Sequence, residues 1–260
     1  MKYFIADAFT DTIFKGNPAG ICFVSNWPAD SVMLNIAKEN NLPETAFLVK
    51  QKEKWHIRWF TVSGEFDLCG HATLASAFVI MNFVEPGLKE VKFVSKSGDL
   101  SVEKEGDMYV LDFPSRPAKE IPPVPLIAES LGVKPLSYHL ARDHVVLLEN
   151  ARQVKDLRPD FTVMKKIPDI IGLTVTAKGD DCDFVSRYFS PHDGTLEDPV
   201  TGSAHCTLIP FWSERLGKTE MTAKQLSSRG GVLYCRHLSK RVKIAGHAVL
   251  YLSGEINLQI

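Results

Sequence analysis

Two stretches 132 positions apart are built alike, and a chain that makes one unit twice is confined to few folds. In "EFDLCGHA" (65–72) a glutamate stands five residues before a glycine, which is followed by one polar residue and an alanine. "EDPVTGSA" (197–204) does the same. Upstream, "RWFT" (58–61) and "RYFS" (187–190) match in kind at all four positions, at an offset of 129. A three-residue insertion in the second loop accounts for the difference. Each stretch reads as strand, turn and helix. Shared capping chemistry among unrelated units of that kind is the competing explanation. Duplication predicts two similar domains facing each other across a pseudo-twofold axis, with two helix N-termini aimed into one cleft. Unpaired N–H groups and a partial positive charge make such termini anion sites. A glycine there lets the backbone approach a ligand closely. The ligand class this favours is a small acid.

The elements around the repeat fit a two-domain α/β (α+β) chain. Short β-branched and aromatic runs broken by turn residues predict strands at "KYFIADAF", "AGICFV", "TAFLVK", "WHIRWFT", "EVKFVS", "DLSVEK" and "MYVLDF". Residues 30–41 read as a helix with Val32, Met33, Ile36 and Ala37 on one face and Asp30 or Ser31 as cap. "HATLASAFVIM" (71–81) is apolar almost throughout, which predicts a helix buried on most sides. "PSRPAKEIPPVP" (114–125) holds five prolines, which neither a helix nor a central strand accommodates, so a linker is expected there. The domains are placed at 1–117 and 118–260, with the final strand left open to pair back onto the first. Beyond the linker a short helix is expected near 126–131 and strands at 137–149, 172–178 and 183–190. The helix opened by Gly202 should end at Gly217, a natural C-cap.

Composition excludes several function classes. A net charge of −1 gives no field favouring nucleic acid or an anionic membrane surface. No run approaches the roughly 18 apolar residues of a transmembrane helix, and the N-terminus does not read as a secretory signal. The five cysteines are odd in number and widely spaced, without a CxxC, which fits a reducing, cytoplasmic setting better than a disulfide framework or zinc ribbon. The histidines form no HExxH or HxxxH pair, so nothing local suggests a metal site, and one assembled from distant positions stays open.

"GNPAG" (16–20), "NLPETAFLV" (41–49), "DLCGHATLA" (67–75) and "EDPVTGSAH" (197–205) occur in the order of the phenazine-biosynthesis-like (PhzF-like) family, which the chain resembles from about residue 5 to beyond 231. The resemblance implies the diaminopimelate epimerase fold: two domains, each a mixed sheet or barrel around a central helix, with the active site in the cleft. It also implies a homodimer, no cofactor, and isomerase chemistry that moves a proton on a small carboxylic acid. The family's acid/base glutamate maps onto Glu44, its histidine onto His71, its aspartate onto Asp198 and its serine onto Ser203. The sequence departs at Pro43, where the family often has serine.

Against these assignments stand plainer ones. Glu44 has five uncharged neighbours that could desolvate it and raise its pKa, or it is an exposed loop carboxylate. His71, just inside a helix N-terminus, is disfavoured as a cation. Asp198 holds a substrate amine or hydroxyl, or merely complements a helix dipole. Asn17 lies in a turn that lines the family's pocket. The amides near Gly70, Gly202 and Gly231 are candidate carboxylate cradles, although "QLSSRGGVL" (225–233) also reads as a hairpin turn. Glu65 and Glu197 receive no role, and Arg58 and Arg187 are assigned to strand-end pairing. Cys69 could serve a two-base racemase, but the repeat sets Thr201 opposite it, and a hydroxyl is no second thiolate near neutral pH. A protein that binds small acids without turnover is the third alternative.

Overall fold

The computed structural model describes residues 1–192 and 195–258. It divides into two units, Met1–Asp112 together with the chain from Ala245 onward, and Phe113–Ile244.

In the first unit, β1 (Lys2–Ala8) runs antiparallel to β2 (Asn17–Phe23), and α1 (Asp30–Asn40) crosses over to β3 (Glu44–Gln51), which is parallel to β2 with Ala19 opposite Glu44. Strand β4 (Lys54–Phe60) returns antiparallel, and the two-residue β5 (Glu65–Phe66) folds back on it. Next come α2 (Gly70–Val79), prolonged by a π-turn over Ile80–Val84, then β6 (Glu90–Ser95) parallel to β4, and a meander of β7 (Gly98–Glu105) and β8 (Met108–Pro114). Helix α2 is the apolar helix expected at 71–81. It is buried at every position but Phe78 and packs on β1, β2 and β3. Helix α1 buries Met33, Ile36 and Ala37 against Tyr3, Cys22, Phe47 and Phe60. Its cap differs from expectation: Ala29 is the N-cap, with no side-chain bond, and Asp30 reaches Arg58 instead. The helix starts one residue earlier than a cap at Asp30 requires, so Asp30 falls inside the first turn.

The second unit runs β9 (Lys119–Ile121), α3 (Pro125–Leu131), β10 (Ser137–Leu140), β11 (His144–Leu147), α4 (Ala151–Asp156) and α5 (Phe161–Met164). It continues with β12 (Leu173–Lys178), β13 (Phe184–Phe189), β14 (Glu197–Asp198), α6 (Gly202–Leu216), β15 (Glu220–Gln225), β16 (Gly231–Leu238) and β17 (Arg241–Gly246). Here too β11 and β12 are parallel, β12 and β13 antiparallel, β14 folds back on β13, and β15 is parallel to β13. The sense of pairing thus repeats that of β2 to β6, strand for strand. The two glycine-opened helices occupy equivalent places, each following a two-residue strand.

Helix α6 ends at Gly217, whose φ of 64° is the left-handed conformation glycine adopts freely. It also contains Pro210, which has no N–H to give to the Cys206 carbonyl one turn earlier. The backbone N–H of Arg116 takes that place at 2.9 Å. The proline-rich stretch is therefore more than a linker. Ser115 donates its N–H to the Lys240 carbonyl at 2.9 Å, and β9 pairs antiparallel with β10. Prolines flank these three residues rather than interrupting them. The last strand, β18 (Ala248–Glu255), pairs antiparallel with β1 in the first unit.

Candidate active site

Four side chains meet in the first unit. Asn17 is the first residue of β2 and Glu44 the first of β3, so the parallel register sets both at the same end of adjacent strands. The chain reaches Glu44 because Asn41, at φ 48°, ends α1 in a left-handed turn and Pro43 then forces extended backbone. Cys69 is the N-cap of α2 and His71 lies in its first turn. The His71 ring bridges the group. Its Nδ1 is 3.1 Å from Asn17 Nδ2 and 3.5 Å from Cys69 Sγ, and its Nε2 is 3.2 Å from Glu44 Oε2.

Chemistry decides the protonation of that ring. An amide nitrogen can only donate, so Asn17 fixes Nδ1 as acceptor and leaves the proton of a neutral imidazole on Nε2, facing the Glu44 carboxylate. Burial pushes the His71 pKa down to about 3, outweighing the bond to the Pro18 backbone that acts the other way. The contact with Glu44 is therefore that of a neutral N–H beside a carboxylate, not of an ion pair. Its distance suits a hydrogen bond although its direction is off-line. Glu44 itself is largely enclosed, with 17% of its side chain exposed, and leads into five buried residues from Thr45 to Val49.

The second unit holds the counterpart. Thr201, the N-cap of α6, stands where Cys69 stands in the first unit, and its hydroxyl donates to Asp198 Oδ2 at 2.6 Å. Gln225 locks the loop. Its Nε2 donates to the Asp198 carbonyl at 2.8 Å, while its Oε1 accepts the Thr201 N–H at 2.9 Å. Ser227 adds a bond to the Pro199 carbonyl at 2.8 Å. Ser203, in the first turn of α6, accepts from Arg142 Nη2 at 3.4 Å. By strand register Arg142 corresponds to Asn17: each lies two residues before the strand position that faces the start of the parallel neighbour. Likewise Ser203 corresponds to His71. Gly70 and Gly202 open the two helices, and Gly231 opens β16 opposite Gln225. The stretch at 226–230 is thus the turn of a hairpin, tied to the Asp198 loop through Ser227.

The repeated arginine and glutamate also find each other. Arg58 grips Glu65 through Nε and Nη2, both at 2.7 Å, and Arg187 grips Glu197 at 2.7 and 2.9 Å. Each pair closes the turn that delivers the chain to a helix N-terminus. Sequence reasoning saw the spacing and missed the pairing. It missed Gln225 and Arg142 altogether. The remaining cysteines are poor partners for Cys69: Cys206 is buried inside α6 and pushed up to about 11, and burial raises Cys22 and Cys235 further still.

Comparison with known proteins agrees with this geometry. The family model described as phenazine biosynthesis-like protein matches residues 6–254. An uncharacterized isomerase of Pseudomonas aeruginosa is 48% identical over 260 residues, covering 99% of each chain. A phenazine biosynthesis-like domain-containing protein of Bos taurus is 38% identical, with 98% of this chain and 99% of that one covered. Among solved structures, a PhzF-family protein of Enterococcus faecalis is 46% identical, covers 99% of both chains and superposes with a TM-score of 0.96. A probable proline racemase from Agrobacterium radiobacter, at 7% identity and a TM-score of 0.65 over 99% of this chain and 93% of its own, shares the fold alone. The fold is that of the diaminopimelate epimerase-like proteins, and the chain belongs to the phenazine biosynthesis-like family of isomerases.

Proposed function

We propose that the protein is a cofactor-independent isomerase that moves a proton on a small carboxylic acid, with Glu44 as general acid and base. The observation that carries this reading is the Asn17–His71–Glu44 chain, which sets a neutral N–H donor 3.2 Å from a largely enclosed carboxylate. In the proposed course Glu44 takes a C–H proton next to a double bond or carbonyl, and the electron pair left behind spreads into that conjugated system. The carboxylic acid so formed exchanges its proton with water and protonates a carbon further along. One C–H bond breaks, one forms, and the double bond shifts. His71 stays neutral throughout and steadies the carboxylate by its Nε2–H. The backbone amides at Gly70, Gly202 and Gly231 and the hydroxyl of Ser203 are proposed to hold the substrate carboxylate, and Asp198 an amine or hydroxyl on it. An anionic small molecule is the partner this requires, and a homodimer is carried over from the family.

The alternative two-base racemase has less support. Cys69 has Thr201 as its counterpart, and that hydroxyl is engaged with Asp198.

The test is deuterium wash-in. The protein is incubated in D₂O with pooled small amino and hydroxy acids, dihydroaromatic ones included, and carbon-bound deuterium is read by mass spectrometry. Wash-in by the wild type that falls about 10²–10⁴-fold in Glu44→Gln supports the reading. Wash-in that survives Glu44→Gln removes Glu44 from the mechanism.

A further inference from the structure

The Glu44, Cys69 and His71 side chains offer one carboxylate oxygen, one thiol sulfur and one imidazole nitrogen, all within 4.8 Å of one another. No local spacing motif announces this set, because its members come from β3 and from the residues that open α2. A tetrahedral zinc site has ligand bonds of about 2.0–2.3 Å, which places a sulfur and a nitrogen roughly 3.6 Å apart and a nitrogen and an oxygen roughly 3.3 Å apart. The corresponding separations here are 3.5 Å from Cys69 Sγ to His71 Nδ1 and 3.2 Å from His71 Nε2 to Glu44 Oε2. These two contacts are to opposite ring nitrogens and a metal uses only one, so Cys69 or Glu44 must turn to the other's side of the ring, within a set whose ligand atoms already lie within 4.8 Å of one another. Three protein ligands with a fourth position open is the pattern of exchangeable zinc sites rather than of closed structural ones.

We propose that this cluster binds a thiophilic divalent cation, zinc foremost, and that occupancy switches the isomerase off. Thiolate and carboxylate together supply two negative charges to balance the ion, and the sulfur–nitrogen–oxygen set favours zinc over magnesium or calcium. The neutral ring coordinates through its unprotonated nitrogen, and binding releases the proton of the Cys69 thiol. The metal would occupy the carboxylate and imidazole that the proposed proton transfer needs. The inhibitory half rests on that proposed function; the binding half does not.

Cobalt(II) alone is the probe, added to the full chain. The expected result is a thiolate-to-cobalt charge-transfer band with the visible bands of a tetrahedral ion. The charge-transfer band should vanish in Cys69→Ser, and affinity should fall at least about 10-fold in His71→Ala and in Glu44→Gln. Zinc should displace the cobalt, and zinc should suppress deuterium wash-in until a chelator is added. A band that persists in Cys69→Ser, or no band in a wild type whose Cys69 is shown to be reduced, overturns the site. Cobalt bound through Cys69 with wash-in unaffected by zinc overturns the regulation. Absence of wash-in from metal-free wild type counts against the proposed function instead, and leaves the cobalt spectrum to judge the site.

Discussion

Gln225 bonds Thr201 and Asp198 at once, giving its Nε2–H to one carbonyl and taking the other residue's amide N–H on Oε1. It is 1% exposed and lies 24 and 27 residues further along the chain than its partners. Cutting it back to alanine leaves the Thr201 amide without its acceptor. Gln225→Ala is expected to cost about 1–3 kcal/mol of stability in urea unfolding. Amide exchange at Thr201 should accelerate before the strands open. An unchanged Thr201 exchange rate would show that the loop holds without it.

The two arginine–glutamate pairs should not be worth the same. Arg187 has 9% of its side chain exposed, and its Nη1 is surrounded by the carbonyls of Val154, Lys155 and Leu157. Glu197→Ala strands that guanidinium among dipoles without its counter-charge, and a loss of about 3 kcal/mol is expected. Arg58 is more open and keeps Asp30 when Glu65 is removed. Glu65→Ala should cost clearly less, a difference that paired denaturation curves would show.

Acid should destabilise the fold in a defined window. Burial lowers His71 to about 3 and His205 to about 4, from 6.5. Between pH 6.5 and those values the unfolded chain binds protons that the folded chain refuses, so stability is full above about pH 6.5 and falls as the pH drops. Denaturant midpoints should decline from pH 7 to pH 4. His205→Gln, which keeps a polar side chain without a titrating ring, should flatten the slope.

The proline-rich connection should resist proteases. Arg116 and Lys119 sit in a stretch tied by backbone bonds to Cys206 and Lys240 and paired through β9. Lys52 lies in the exposed two-residue turn between β3 and β4 at φ 55°, outside the strand pairing. Brief trypsin digestion read by mass spectrometry should cut after Lys52 before it cuts after Lys119, the Arg116–Pro117 bond being closed to trypsin in any fold. The opposite order would restore the flexible linker.

How much of this was legible beforehand follows from the range of the forces involved. The two glycine-opened helices were visible because burial and capping leave local periodic marks. The β-α-β order was visible for the same reason. Glu44 and His71 were chosen through the family resemblance, yet nothing local says that β3 and α2 bring them within 3.2 Å. Asn17 was marked as a turn residue lining a pocket, whereas it fixes the tautomer of His71, a role that exists only once β2 stands beside β3. The α1 cap differs from expectation because the helix begins at Asp30 itself, whose carboxylate then meets Arg58, a residue that only the fold brings near. Of the prolines at 114–125, Pro114 is the last residue of β8 and those from Pro117 to Pro123 bracket three residues that still add an outer strand.

The pairing of β18 with β1 has a consequence for how the protein is made. A ribosome makes β1 well before β18, and Phe113–Ile244 emerges between them as one continuous piece. The first unit waits. Its β1 keeps one edge open until 248–255 leaves the exit tunnel, and an open edge invites the wrong strand. Strand β1 is thus made before the whole of the second unit and secured after it, and a chain broken off just past Ile244 would carry all of the second unit attached to a first unit still lacking β18.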